Sequence, residues 1–162
     1  MMLNLKKIFE KNKFILDIII KDLSSLGSLV FYVFWMLFFL LIAEFILFSK
    51  LFLGLILSFL IIIIIRFFYY RSRPEKIEYD NFFQKIYSSS FPSFHAFRSF
   101  LLYGFLILYF KEIFLSIFLT LIYIGILFSR WYLKKHFISD LFFGFVFGII
   151  TFIFIQVLFF YF

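Results

Sequence analysis

The sequence has no cysteine, two prolines and six glycines in 162 residues. Lack of cysteine excludes disulfides, iron–sulfur clusters and zinc–thiolate sites, and leaves no redox compartment to be read from the chain. So little proline and glycine excludes linker-rich, collagen-like or disordered organisation. Charge is scarce too: 15% of residues are charged, and nine acidic side chains stand against 16 Lys and Arg, a net +7. What fills the chain is apolar, 65% hydrophobic with 33 Phe. A soluble domain is roughly 45–50% apolar, and one of this size cannot bury the excess in a single core. The chain therefore belongs in a lipid bilayer. Most of its positive charge flanks apolar runs, which favours anionic headgroups over nucleic acid as a partner.

A bilayer core of about 30 Å is crossed by about 20 helical residues. Five runs qualify, Leu26–Phe48, Leu51–Tyr70, Pro92–Phe110, Ile113–Ser129 and 137–162. The expected fold is all-α, a polytopic transmembrane helix bundle of about five spans forming one domain over 25–162. Ser49-Lys50 and Lys111-Glu112 are expected to be tight turns on one face. Arg71–Phe91 and Arg130–Asp140 then share the other face with the N-terminal segment. That face collects 14 of the 16 Lys and Arg, all but Lys50 and Lys111. Residues 1–24 resemble a signal anchor only superficially, because Asp17 and Lys21 interrupt the apolar run. Lys6, Glu10, Lys13, Asp17 and Lys21 recur on one helical side, and Leu5, Ile8, Phe9, Ile15, Leu16, Ile19 and Ile20 lie largely on the other. An interfacial amphipathic helix is expected there.

Ionisable groups within or at the ends of spans are costly, and they are the functional candidates. Each has a plainer reading by itself. Arg66 can snorkel to the interface, His95 can bond a carbonyl, His136 and Asp140 can form a structural pair four residues apart, and Glu44 and Lys134-Lys135 read as interfacial contacts. Their spacing makes a stronger case together. Arg66 and Arg73 are seven residues apart, close to two helical turns, and Pro74 fixes the exit of the chain. Pro92-Ser93-Phe94-His95 opens the third span, where free N–H groups attract anions. Arg98 follows in the next turn. Ser129-Arg130 ends one span, and His136 and Asp140 open the next.

Three guanidiniums on one face match the oxygens of a phosphoryl group and its transition state. An imidazole oriented by a carboxylate can act as nucleophile, and a second can protonate a leaving oxygen. No carboxylate cluster remains for Mg²⁺, and two His are too few for a zinc site that also needs both for catalysis. Metal- and cofactor-independent phosphoryl transfer is expected.

The pattern Arg66-x6-Arg73-Pro74, Pro92-Ser93-x-His95, Ser129-Arg130-x5-His136-x3-Asp140 resembles the three signature motifs of the type 2 phosphatidic acid phosphatase superfamily. Its members are integral-membrane lipid phosphate phosphatases related to the vanadium haloperoxidases. The resemblance covers 66–140 by motif and the rest by span layout. It implies that His136 attacks phosphorus to form a phosphohistidine, that Asp140 orients His136, and that His95 protonates the leaving group. It also implies that Arg66, Arg73, Arg130 and Ser93 hold the phosphoryl oxygens, with Phe94 beside them. Arg66 stands where the family usually has Lys, and Phe94 where it often has Gly. The implied substrate is a lipid phosphate or diphosphate in the bilayer: a polyprenyl diphosphate first, then phosphatidylglycerophosphate or phosphatidic acid. The alternative is a non-catalytic membrane protein that binds or moves anionic headgroups with the same Arg pocket. A plain structural bundle or channel gives no reason for the matched spacings.

The resemblance implies an extracytoplasmic catalytic face in the cell membrane, whereas five Lys before the first span favour the cytoplasm by the positive-inside rule. The cysteine-free chain makes the test direct. A cysteine placed within 75–84 is expected to react with an impermeant thiol reagent in intact cells; labelling only after lysis places that face in the cytoplasm.

Overall fold

A computed structural model describes residues 2–75 and 78–160, with side chains from Asn12 onward. Among them are seven helices and no strand: α1 (Met2–Ser25), α2 (Leu29–Leu41), α3 (Phe45–Phe68), α4 (Phe82–Ser88), α5 (Phe94–Phe110), α6 (Ile113–Tyr132) and α7 (Ile138–Leu158). The all-α membrane bundle expected from the sequence is the observed fold. By length and hydropathy α3, α6 and α7 can each cross a bilayer. The described part of α1 and α2 meet at a 44° bend and qualify only as a pair, and α5 is a shorter apolar helix. The expected count of about five spans is thus approximate.

Helix boundaries differ from expectation where a polar residue is not a turn. The first hairpin lies at Ile42–Glu44, with Ala43 at φ 62°, so Ser49 and Lys50 lie inside α3. Lys50 stays within its helix because Nζ donates to Gln156 Oε1 at 2.7 Å on α7 and lies over the Phe159 ring. The second hairpin falls at Lys111-Glu112 as expected, with Lys111 left-handed at φ 56°. Both hairpins therefore sit at the end of the bundle opposite the long loops. α6 runs on to Tyr132, so Ser129 and Arg130 are in its last turns. Pro92 precedes the cap of α5 instead of occupying its first turn; Ser93 is the N-cap, its Oγ accepting from Ala96 N at 3.3 Å.

α5 is the central helix, packed against α2, α3, α6 and α7. Phe97, Leu101, Leu102, Phe105 and Leu106 on it are almost wholly buried. Three tyrosines tie the bundle through backbone carbonyls: Tyr32 to Leu51, Tyr103 to Leu26 and Tyr123 to Ala96, at 2.9, 3.2 and 3.3 Å. In an apolar medium a hydroxyl needs such a partner, and carbonyls already bonded within a helix can accept a second hydrogen bond. α1 packs against α6, with Ile20 and Ser24 buried and Phe14 and Ile19 exposed. The amphipathic pattern over Leu5–Glu10 lies outside the described side chains.

Where α5 meets α7 the backbones nearly touch. A Cβ on Gly144 would stand 2.7 Å from Ser93 O and 2.9 Å from Ala96 Cβ. Small residues at such crossings let membrane helices approach closely. Gly144→Ala is expected to destabilise the protein by about 1–3 kcal/mol, since backbone cannot give way as a side chain can. Gly104→Ala, which meets only the tip of the Phe152 ring at 3.1 Å, should cost less. Thermal unfolding in one detergent compares the two.

Candidate active site

The site begins where α3 ends. Arg66 is 3% exposed in an apolar helix, so its planar fork of donors must find acceptors within the protein. Nε donates to Phe91 O at 3.2 Å, one terminal nitrogen to Ile86 O and Tyr87 O at 3.2 and 3.4 Å, and the other to Pro92 O at 2.9 Å. Arg66 thus gathers the carbonyls of 86–92 and fixes the approach to α5. Lysine at this position would have no such fork.

Two helical turns do not align Arg66 with Arg73, because α3 stops at Phe68 and Tyr69 is extended. The irregular segment after it bends back instead. Arg73 donates to Ser88 O and Tyr87 O, both at 3.1 Å, and so shares the Tyr87 carbonyl with Arg66. Burial lowers the pKa of Arg73 from its ordinary value, with nearby Tyr87 opposing. Ser90 N donates to Arg71 O at 2.8 Å, Arg71 N to Ser89 Oγ at 3.3 Å and Ser90 Oγ to Ser72 O at 3.2 Å. The consecutive serines after α4 therefore stitch 71–72 to 89–90 and hold the Ser90 carbonyl in place.

That carbonyl orients His136. Nδ1 of His136 lies 2.8 Å from Ser90 O, while Asp140 Oδ2 is 3.8 Å away. A carbonyl can only accept, so this bond puts the proton on Nδ1 and leaves the Nε2 lone pair free. Burial pushes the His136 imidazole down to about 4, Asp140 pulling the other way, so the ring is neutral near pH 7. Asp140 is fully buried and otherwise engaged. Its Oδ1 pairs with Arg71 at 2.8 Å, and its Oδ2 accepts from Phe137 N at 2.8 Å. Arg71 also donates to Ser139 Oγ at 2.7 Å and lies over the Phe137 ring. Ser90 O makes the hydrogen bond to His136, and Asp140 anchors the start of α7 with its charge close behind the ring.

These elements enclose a cavity of about 210 Å³. Of the eight residues expected at the site, six line it: Arg66, Arg73, Phe94, His95, Arg130 and His136. Ser93 and Asp140 do not; both are fully buried behind the wall. The Ser93 hydroxyl caps α5, and its N–H donates to Asp140 O at 3.0 Å, joining the starts of α5 and α7. Arg130 donates to Ser24 Oγ at 3.0 Å, and its buried Nε has no partner among the described residues.

Sequence reasoning assigned no role to Arg98, Arg71 or Ser90. Arg98 lines the cavity beside the expected residues, and its signal was a charge one turn after His95 on the same helical face. Arg71 could have been suspected as a charge two residues before Arg73. Ser90 acts through its carbonyl, which leaves no mark in a sequence.

The model of the PAP2 superfamily matches residues 47–162. Among solved structures, Aquifex aeolicus LpxE superposes with a TM-score of 0.73 at 24% identity, over 88% of this chain and 86% of that one. The first transmembrane PAP2 type phosphatidylglycerolphosphate phosphatase from Bacillus subtilis superposes with a TM-score of 0.65 at 21% identity, over 88% and 76%. At these identities the likeness concerns the fold. No curated protein sequence matches.

The ion pair behind His136 makes a testable unit. Arg71→Met leaves the Asp140 carboxylate buried without its cation, which is expected to cost about 1–3 kcal/mol. The double variant Arg71→Met/Asp140→Asn should recover part of that loss. Thermal unfolding of the four proteins closes the cycle; additive losses would show that the pair is not coupled.

Proposed function

The chain belongs to the PAP2 superfamily, and we propose that it is a membrane lipid phosphatase working through a phosphohistidine on His136. The observation that carries this reading is the cavity lining: two imidazoles and four guanidiniums, with no carboxylate among the lining residues. Such a lining suits a phosphoryl group and nothing cationic.

In the proposed reaction the phosphoryl oxygens are seated on Arg73, Arg130 and Arg66, with the Arg66 fork largely committed to carbonyls and acting chiefly through its charge. Nε2 of His136 attacks phosphorus in line, made available by the Nδ1–H bond to Ser90 O. As the bond to the leaving oxygen breaks, His95 protonates that oxygen. Water then attacks the phosphohistidine, the same imidazole taking its proton, and inorganic phosphate leaves. Guanidiniums placed in advance of the reaction stabilise the charge that develops on the equatorial oxygens. Ser93 supports the site as the cap of α5, and Asp140 supports the His136 segment.

A lipid substrate also needs a place for its tail. An apolar groove of about 620 Å³ runs between α6 and α7, lined by Tyr123, Leu127, Phe128 and Phe145 among others. Its upper residues Trp131 and Ile138 also line an outer cleft of about 500 Å³ that reaches His136. This continuity supports a tail lying along the α6–α7 face with its headgroup at the arginines. A polyprenyl diphosphate ranks first among substrates, ahead of phosphatidylglycerophosphate and phosphatidic acid, and the reading places the site on the extracytoplasmic side of the cell membrane.

Detergent-purified protein is expected to release phosphate from at least one of these lipids with EDTA present. His136→Ala should lower that rate by a factor of about 10³ or more, and rapid quench with labelled substrate should trap an acid-labile phosphoprotein only when His136 is present. A folded wild-type protein that binds the lipids but releases nothing would favour the headgroup-binding alternative.

A further inference from the structure

Arg98 is the cation in the cavity that the proposed reaction does not use. It is 6% exposed, and among the described residues its buried Nε has no hydrogen-bond partner. What holds it is aromatic: its guanidinium stands 5.1 Å from the Phe94 ring centroid and 5.7 Å from that of Phe59. Arg66 also lies over this ring, 4.9 Å from the Phe94 centroid. Phe94, where the family motif often has Gly, therefore supports two guanidiniums at once, and it packs on Phe59 at 5.2 Å. Rings attract cations without consuming their N–H donors, so Arg98 is held in place with hydrogen-bonding capacity left over.

The four cavity arginines differ in this respect. Arg66 donates to four backbone carbonyls and Arg73 to two. Arg98 and Arg130 each keep a buried, unpartnered Nε. Asp140, the buried acid behind the wall, is already paired with Arg71. One phosphate carries about −1.5 to −2, and so leaves much of the charge of four guanidiniums unanswered. Two phosphates on one headgroup come close to balancing it. A volume of about 210 Å³ is on the order of seven water volumes, more than a lone phosphate fills.

We propose that Arg98, propped on Phe94, is a specificity-determining residue that binds a second phosphate of the same headgroup, next to the one that His136 attacks. This rests on the phosphatase reading for which phosphate is attacked, and it narrows the substrate to lipids with two phosphates in one headgroup. Two chemistries qualify, a diphosphate and a phosphomonoester one glycerol away from a phosphodiester. For a diphosphate, the bond from the terminal phosphorus to the bridging oxygen breaks, and the leaving lipid monophosphate is the group that Arg98 holds.

The test uses full-length protein in detergent with EDTA, in two readouts. In binding, methylenediphosphonate is expected to be preferred over inorganic phosphate, and Arg98→Gln should cut that preference about tenfold, with Arg98→Lys in between. In turnover, Arg98→Gln should lower kcat/KM on two-phosphate lipids about tenfold more than on phosphatidic acid. A selective loss confined to polyprenyl diphosphate identifies directly linked phosphates; one that includes phosphatidylglycerophosphate shows that the longer spacing also reaches Arg98. Equal losses on all lipids and both anions, or no loss on any, overturn the proposal. If Arg98→Gln does not fold, Phe94→Leu removes the prop but keeps apolar bulk, and it should shift the preference in the same direction. The two readings fail separately. A wild-type protein that hydrolyses no lipid yet shows the Arg98-dependent preference loses the phosphatase reading and keeps the second-phosphate site. Hydrolysis without that preference does the reverse.

Discussion

A guanidinium buried at the end of an apolar membrane helix is costly unless acceptors surround it, and Arg66 in the last turns of α3 imposes that condition on everything nearby. Its acceptors are the carbonyls of Ile86, Tyr87, Phe91 and Pro92. The long segment after α3 therefore has to fold back over the helix end instead of extending into solvent. Once it does, Arg73 meets the carbonyls of Tyr87 and Ser88, and the serines that follow α4 pair with 71–72. The Ser90 carbonyl that orients His136 is a product of this chain of contacts. The site's charge and its shape thus share one physical cause, the need to satisfy buried donors.

The helices supply a second constraint. α5 and α7 approach so closely at Gly144 that the start of one helix bonds the start of the other through Ser93 N and Asp140 O. His95 on α5 and His136 just before α7 are brought to one cavity by that contact. Asp140 makes the junction rigid from within, capping α7 through Phe137 N and pairing with Arg71. A fully buried carboxylate with both oxygens engaged is a structural anchor first. Its influence on His136, at 3.8 Å, is that of a nearby charge.

The buried donors left without partners are the exception to this economy. Arg98 and Arg130 line the cavity, and among the described residues the buried Nε of each has no hydrogen-bond partner. Orphaned donors of that kind cost stability and call for a physical account, a bound water or ion among them; Trp35 Nε1, outside the cavity, is another. Phe94 belongs to the same account. Read in sequence it is a departure from a glycine that lets a phosphate come close; in three dimensions its ring carries Arg66 and Arg98.

Much of this was legible in the chain. Apolar runs and sparse charge determined the membrane bundle, because a bilayer admits little else from such a composition. Motif spacing picked out six of the cavity residues, since chemistry needs particular side chains whatever surrounds them. The misplacements have a common origin. Lys50 reads as a turn because sequence shows a charge but not the Gln156 partner that lets it stay in α3. Arg66 and Arg73 were aligned by a helical period that ends at Phe68. The hydrogen bond to His136 Nδ1 comes from the Ser90 backbone, which no motif marks because a carbonyl belongs to every residue alike. The sequence by itself determined which charges the bilayer would drive to one end of the bundle. Only the tertiary structure decided which of them are consumed holding the loop and which remain free, because a donor's availability depends on the acceptors that folding brings within about 3 Å of it.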